Sequence, residues 1–202
     1  EYGIKYVMPS GSNVSLLGRT TAGEHANRVI NPFALIDSGF DQTDAELRFL
    51  WLASGKSRLN GRLAYIDREH DNYSVRDYSG PVGSLDYLWD IDGKLRLNLG
   101  VRQDLASYQN FEASYYKARI LTIAPQWQIS GKTALRARYN RETRDYLGAP
   151  VVFLAGREDT LSQAQVAFDW LPMRTLTLST YAQRDTRSSS RALQDFSADM
   201  LG

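Results

Sequence analysis

The sequence predicts an all-β chain, an antiparallel up-and-down meander of about ten long strands. Three observations predict it. The first is a repeat: "WLASGK", "WDIDGK" and "WQISGK" begin at Trp51, Trp89 and Trp127, two equal intervals of 38 residues (89 − 51 and 127 − 89). A fourth version, "WLPMR" at Trp170, follows after 43 residues (170 − 127) and lacks the glycine. All four tryptophans of the chain lie in this motif. The second observation is alternation of apolar and polar residues on both sides of each motif, the mark of a half-buried strand. The third is an asymmetry, with short turns at one end of the strands and longer polar loops at the other.

The first hairpin is degenerate: "KYVMPSGSNVSLLG" turns at Pro9 to Gly11, with Tyr6 before it and Val14 and Leu16 after. In the second, Ala45, Leu47 and Phe49 lead by steps of two to Trp51, and Leu59, Gly61, Leu63 and Tyr65 share one parity beyond the turn. The third runs through Gly83, Leu85, Tyr87 and Trp89, then Leu95, Leu97, Leu99 and Val101. The fourth runs through Leu121, Ile123, Pro125 and Trp127, then Leu135, Ala137 and Tyr139. The fifth runs through Ala164, Val166, Phe168 and Trp170, with Pro172 and Met173 in its turn and a less regular pattern after it. A partial strand ends at Gly202. Ser-Gly-Lys and Asp-Gly-Lys suit tight turns, because glycine accepts a positive φ at no steric cost. The longer connections fall at 23–39, 69–80, 107–114, 147–158 and 188–194.

The other parity is polar and rich in charge. It carries Glu46 and Asp86 before the turns, and Arg58, Arg62, Arg96, Arg102, Arg136, Arg138 and Arg144 after them. Three β architectures fit alternating strands. A propeller blade fits four short strands into about 40–45 residues, whereas here alternation runs unbroken for about twelve residues each side of a turn. A soluble sandwich would bury the apolar parity as its core, but the uniform hairpin order carries no sign of Greek-key crossings. An outer-membrane barrel has short turns on one side, long loops on the other, and strands of about 9–11 residues across the bilayer. Twelve residues at about 3.3 Å each, tilted about 45°, rise roughly 28 Å. Arginine facing lipid at mid-membrane costs roughly 2–4 kcal/mol, so the arginine rows require an aqueous lumen, with Glu46, Asp86, Asp90 and Asp169 as counter-charges. The apolar parity then faces lipid. The expectation is an outer-membrane β-barrel or part of one.

Composition agrees with this reading and removes others. A chain of 202 residues makes one domain, 1–202. A net charge of +1 offers no global field for nucleic acid. The absence of cysteine excludes a disulfide framework and thiolate metal sites. The longest apolar run, "APVVFLAG" near Val151, is too short for a membrane helix. A negative mean hydropathy, −0.41, is what strands apolar on one face only would give. The opening Glu1 reads as a processed or partial chain, and "FSADMLG" lacks the terminal aromatic common in bacterial barrels. The expected unit is therefore the C-terminal portion of a larger barrel, with open edges that could pair with a second copy.

The hairpins "GRLAYIDREHDNY", "LRLNLGVRQDLASY" and "TALRARYNRETRDYLG", with the opening "GIKYVMPSGSNVSL", resemble the EpsL-like proteins. These are outer-membrane barrel proteins encoded with exopolysaccharide-biosynthesis operons of Gram-negative bacteria. The resemblance covers nearly the whole chain. It implies an outer-membrane location and a role in polysaccharide production or export, and it supplies no catalytic motif.

Read as chemistry, the chain is expected to be no enzyme and to need no cofactor or metal. Its two histidines, His25 and His70, fall in the longer loops without a second histidine nearby, which reads as solvated loop residues. His70 near Asp71 and Ser74 is too generic for a hydrolytic triad. Carboxylates abound, so a glycosidase pair or a lyase stays open as an alternative. The seven arginines are the expected lumen contacts for an anionic polysaccharide, against the simpler reading that they neutralise neighbouring carboxylates. Tyr73, Tyr78, Tyr108, Tyr115, Tyr116 and Tyr146 could stack on sugars or form an interfacial belt. Trp51, Trp89, Trp127 and Trp170 read as an interface girdle, with an apolar ring for lipid and an N–H for water. The expected partners are a lipid bilayer, an exopolysaccharide chain and proteins of a polysaccharide-synthesis machinery, with no nucleic acid. A channel or channel component is the leading expectation. A plugged scaffold barrel and a soluble carbohydrate-binding sandwich are the alternatives.

Overall fold

The computed structural model describes residues 1–24, 26–27, 29–31, 35–108, 110, 112–149 and 155–202. His25, Pro150 and Val151 to Leu154 lie outside them. The described residues form β1 (Tyr2–Val7), β2 (Asn13–Glu24), β3 (Gly39–Ser54), β4 (Ser57–His70), β5 (Tyr78–Asp90), β6 (Leu95–Ser107), β7 (Tyr115–Ser130), β8 (Thr133–Leu147), β9 (Glu158–Met173), β10 (Leu176–Ser189) and β11 (Phe196–Leu201). All eleven join one sheet in chain order, each antiparallel to its sequence neighbours. One continuous meander leaves neither the second layer of a sandwich nor the blades of a propeller among the described residues. The sheet is open: β1 and β11 are edges and do not pair with each other. Eleven is odd, so both edge strands run from the loop end to the turn end, and a seam between them would be parallel.

The strands are sheared by a constant amount. The row of direct cross-strand partners through Trp51 passes Leu59, Tyr87, Leu99, Ile123, Tyr139 and Ala164. The next tryptophans stand 2, 4 and 6 residues nearer the turns than this row (89 − 87, 127 − 123, 170 − 164). Register therefore slips by one residue per strand. With strands about 4.8 Å apart and about 3.4 Å per residue, the line of tryptophans makes roughly 35° with the perpendicular to the strands.

Burial is inverted relative to a water-soluble fold. The buried apolar side chains are mostly alanine (Ala64, Ala113, Ala118, Ala134 and Ala167), with Val82, Tyr78 and Tyr146. The largest fully buried side chains are Arg76, Glu46, Asp37 and Asp159. Meanwhile Trp51, Leu63, Val101 and Val166 are half exposed or more. The accessible surface, 12704 Å², exceeds the roughly 9,600 Å² expected of a compact monomer of this mass.

The tight turns differ from expectation in one respect. Only Gly11, in the first, has a left-handed φ, +84°. Gly55, Gly93 and Gly131 do not, and a Cβ on any of them would meet nothing within 4 Å. The residue before each glycine closes the turn instead. Ser54 and Ser130 Oγ accept the Lys56 and Lys132 N–H at 3.2 Å, and Asp92 accepts Lys94 and Leu95 N–H at 2.7 Å each.

Candidate functional site

The two faces of the sheet carry different chemistry, and each is a site of its own kind. On the apolar face, every tryptophan lies directly opposite a leucine: Trp51 with Leu59, Trp89 with Leu97, Trp127 with Leu135 and Trp170 with Leu178. Side chains alternate between faces along a strand, so the apolar residues two, four and six positions from each tryptophan lie above it on the same face. Phe49, Tyr87, Pro125 and Phe168 make the layer next to the tryptophans; Leu47, Leu85, Ile123 and Val166 make the layer after that. Six residues beyond each leucine the character changes, at Tyr65, Gln103, Arg141 and Arg184. Seven residues along a strand tilted about 35° rise roughly 19 Å, so the apolar band is narrower than the strands are long. The 28 Å expected from counting strand residues included polar strand ends.

The polar face holds all seven predicted arginines, on β4, β6 and β8. Five are paired. Arg62 Nε donates to Glu46 Oε2 at 2.8 Å, and Arg48 donates to the other oxygen of the same carboxylate. Glu46 is 2% exposed and also has Arg19 Nη2 at 3.7 Å, so three guanidiniums surround one buried charge. Arg96 pairs with Asp90, and Arg144 Nε donates to Glu142 at 2.6 Å. Arg136 grips Asp169 with two hydrogen bonds, 2.6 and 2.7 Å. Arg102 stands 3.9 Å from Asp104. Arg58 and Arg138 are exposed and pair with no carboxylate among the described residues. Asp86 leans over Gly100, where a Cβ would lie 2.9 Å from Asp86 Oδ1, and it pairs with no cation among the described residues. Between the charged groups runs a chain of amides. Thr122 donates to Asn140, Asn140 to Gln163, and Gln165 to Gln183, at 2.9 to 3.2 Å.

The loop end is knitted by residues the periodic pattern could not flag. Arg76 is fully buried and donates to the carbonyls of Leu35, Asn110 and Ala113 at 2.8 to 2.9 Å, pinning three connections together. Asp37 accepts N–H groups of Asn72, Tyr73 and Gly39 and the Asn72 side-chain amide. Burial pushes the Asp37 carboxyl up, but these hydrogen bonds outweigh it and hold it below its usual range. Arg157 bridges Asp159 at 2.9 Å and Glu112 at 2.8 Å, and Arg187 reaches the same Asp159 at 2.7 Å. Tyr108, Tyr116 and Tyr146 pack on one another, with ring centroids 4.9 to 6.1 Å apart, beneath Arg144 and Arg157. Tyr78 and Tyr115 stack at 4.8 Å.

His70 is not a solvated loop residue. It ends β4 on the polar face, buried to 8% exposure between Phe40 and Tyr78, because strand pairing persists to Phe40–His70. Its Nδ1 lies 3.3 Å from Asp77 Oδ1, so its carboxylate neighbour is Asp77, not Asp71. Among the described residues no group of three or more His, Cys, Asp or Glu stands close enough to hold a metal ion. No family model, curated protein or solved structure matches the chain.

Proposed function

We propose that this chain is a wall segment of an outer-membrane β-barrel taking part in exopolysaccharide biosynthesis or export, as a channel or channel component with an arginine-rich polar lumen. The observation that carries the membrane reading is the level line of tryptophan–leucine pairs. If that line lies in the membrane plane, the strands tilt by about 35°, the lower end of the range for membrane barrels. An aqueous lumen accounts for charged groups buried on one face, and lipid accounts for apolar groups exposed on the other. Open strand edges do not persist in hydrocarbon. An all-antiparallel closure requires an odd number of strands beside these eleven, and a second copy in the same orientation would meet this edge in parallel. The polysaccharide part of the proposal rests on the resemblance of the hairpins to the EpsL-like proteins. In it, Arg138 and Arg58 are the guanidiniums left to meet an anionic chain.

The experiment is planar-bilayer recording on the purified protein. A channel gives stepwise conductance with anion preference, and Arg138→Glu lowers that preference. The paired arginines favour one alternative, a scaffold barrel whose lumen is filled by its own ion pairs. An inserted protein that carries no current would sink the channel and leave the scaffold.

A further inference from the structure

The apolar face is not uniformly apolar at its upper edge. Arg141 sits on it, opposite Leu121 on one side and Ser162 on the other, exposed and without an ion-pair partner among the described residues. Arg119 lies on the same face one strand away, eight residues above Trp127 (127 − 119). It shares Asp145 with Lys117, at 3.1 and 3.8 Å, so two cations draw on one carboxylate. Beside them, running across the strands from Leu121 through Val101 to Leu85 and Leu63, is a groove of about 730 Å³ with Arg119 and Arg141 at one end. Gly83 deepens it, since a Cβ there would crowd the Arg62 carbonyl at 2.8 Å.

We propose that this groove seats an acyl chain of an anionic phospholipid, whose phosphate is held by Arg141 and Arg119. The reading rests on the membrane orientation argued above. Hydrocarbon fills the leucine–valine trough, and the anion meets the uncompensated positive charge at the boundary where the apolar band ends. A lone guanidinium facing lipid is costly at mid-membrane and much less so near the interface, where an anionic headgroup further offsets it. Zwitterionic lipids fill the trough equally well but bring an ammonium group to the same cations.

The test uses the full chain reconstituted into vesicles of dimyristoylphosphatidylcholine with or without dimyristoylphosphatidylglycerol. Flotation on pure phosphatidylcholine reports the membrane reading. The ratio of the two lipids retained after mild detergent extraction, measured against the bulk ratio, reports the site. The wild type enriches phosphatidylglycerol. Arg141→Gln lowers the enrichment about five-fold, in line with roughly 1 kcal/mol per basic residue at an anionic surface, and Arg141→Lys retains most of it. Bulk-like lipid in a floating wild type, or an Arg141→Gln protein that enriches as the wild type does, overturns the site and spares the membrane reading. A chain that does not float removes both.

Discussion

Phe49 lays its ring over Gly61, its direct cross-strand partner on the apolar face. A Cβ added at Gly61 would stand 2.1 Å from the ring edge. The same device recurs at Gly18 under Tyr2 and at Gly202 under Tyr181. Such a ring covers backbone that a side chain would otherwise shield, and it helps fix strand register.

Gly61→Val therefore forces the Phe49 ring aside and is expected to destabilise the sheet by about 1–3 kcal/mol, the usual cost of overpacking. Gly55→Ala, in the next turn, meets nothing and has no positive φ. It is expected to change stability by less than about 1 kcal/mol, in either direction. Urea unfolding in detergent measures both, and equal effects would contradict the ring-over-glycine account.

The four tryptophans lie on one line across the sheet, and if that line is the membrane plane, as proposed, they share one depth. Four variants, each keeping a single tryptophan and replacing the others with phenylalanine, should be quenched equally by lipids brominated near the headgroup. Lipids brominated near the chain end should quench them weakly. A progressive change of depth from Trp51 to Trp170 would mean that the girdle line is not the membrane plane.

Glu46 holds Arg48 and Arg62, which face each other directly across β3 and β4. Glu46→Gln keeps the shape and leaves two like charges opposed, an arrangement that destabilises a sheet. Both arginines are partly exposed, with side chains 46% and 33% accessible, so solvent screens part of the effect. A loss of about 1–2 kcal/mol is expected. Adding Arg48→Gln should restore part of it, and no recovery in the double variant would show the pairing to be energetically idle.

Asp37 gives the loop end a pH dependence whose sign is fixed. Its carboxyl lies below the ordinary value in the folded chain, so its stabilisation is fully present above the unfolded pKa of about 3.9. It is lost as pH falls through the folded value. Amide-exchange protection at Asn72 and Tyr73 should hold from neutral pH to about pH 5 and fall below about pH 4. Asp37→Asn should lower that protection at every pH and remove the acid transition. A transition of equal size in this variant would assign it to another group.

The alternation, the turn positions and the opposite chemistry of the two faces were legible because each is local. A side chain at position i and one at i + 2 share a face whatever the rest of the sheet does. The tryptophan motif marked the turn end correctly for the same reason. The pairing of the arginines was legible only in kind. Glu46, Asp90 and Asp169 meet cations, but Asp86, on the same parity, meets none among the described residues, because partner choice depends on neighbouring strands. His70 reads as a loop residue by pattern alone, whereas pairing of β3 with β4 runs two residues, Glu69 and His70, into the polar stretch that suggests a loop. Asp37, Arg76 and Arg157 carried no signal, since connections lacking periodicity offer no face to count.

The sequence by itself determined an all-β meander with one apolar and one polar face, punctuated by tryptophan-marked turns. Only the tertiary structure decided how far each hairpin slides against the next. A two-residue turn fixes register within its own hairpin, whereas the longer loops permit several registers between hairpins. Side-chain packing across β4–β5, β6–β7 and β8–β9 selects one. That selection sets the one-residue slip per strand, and the slip brings four tryptophans onto one line and Arg141 to the loop-side edge of the apolar band.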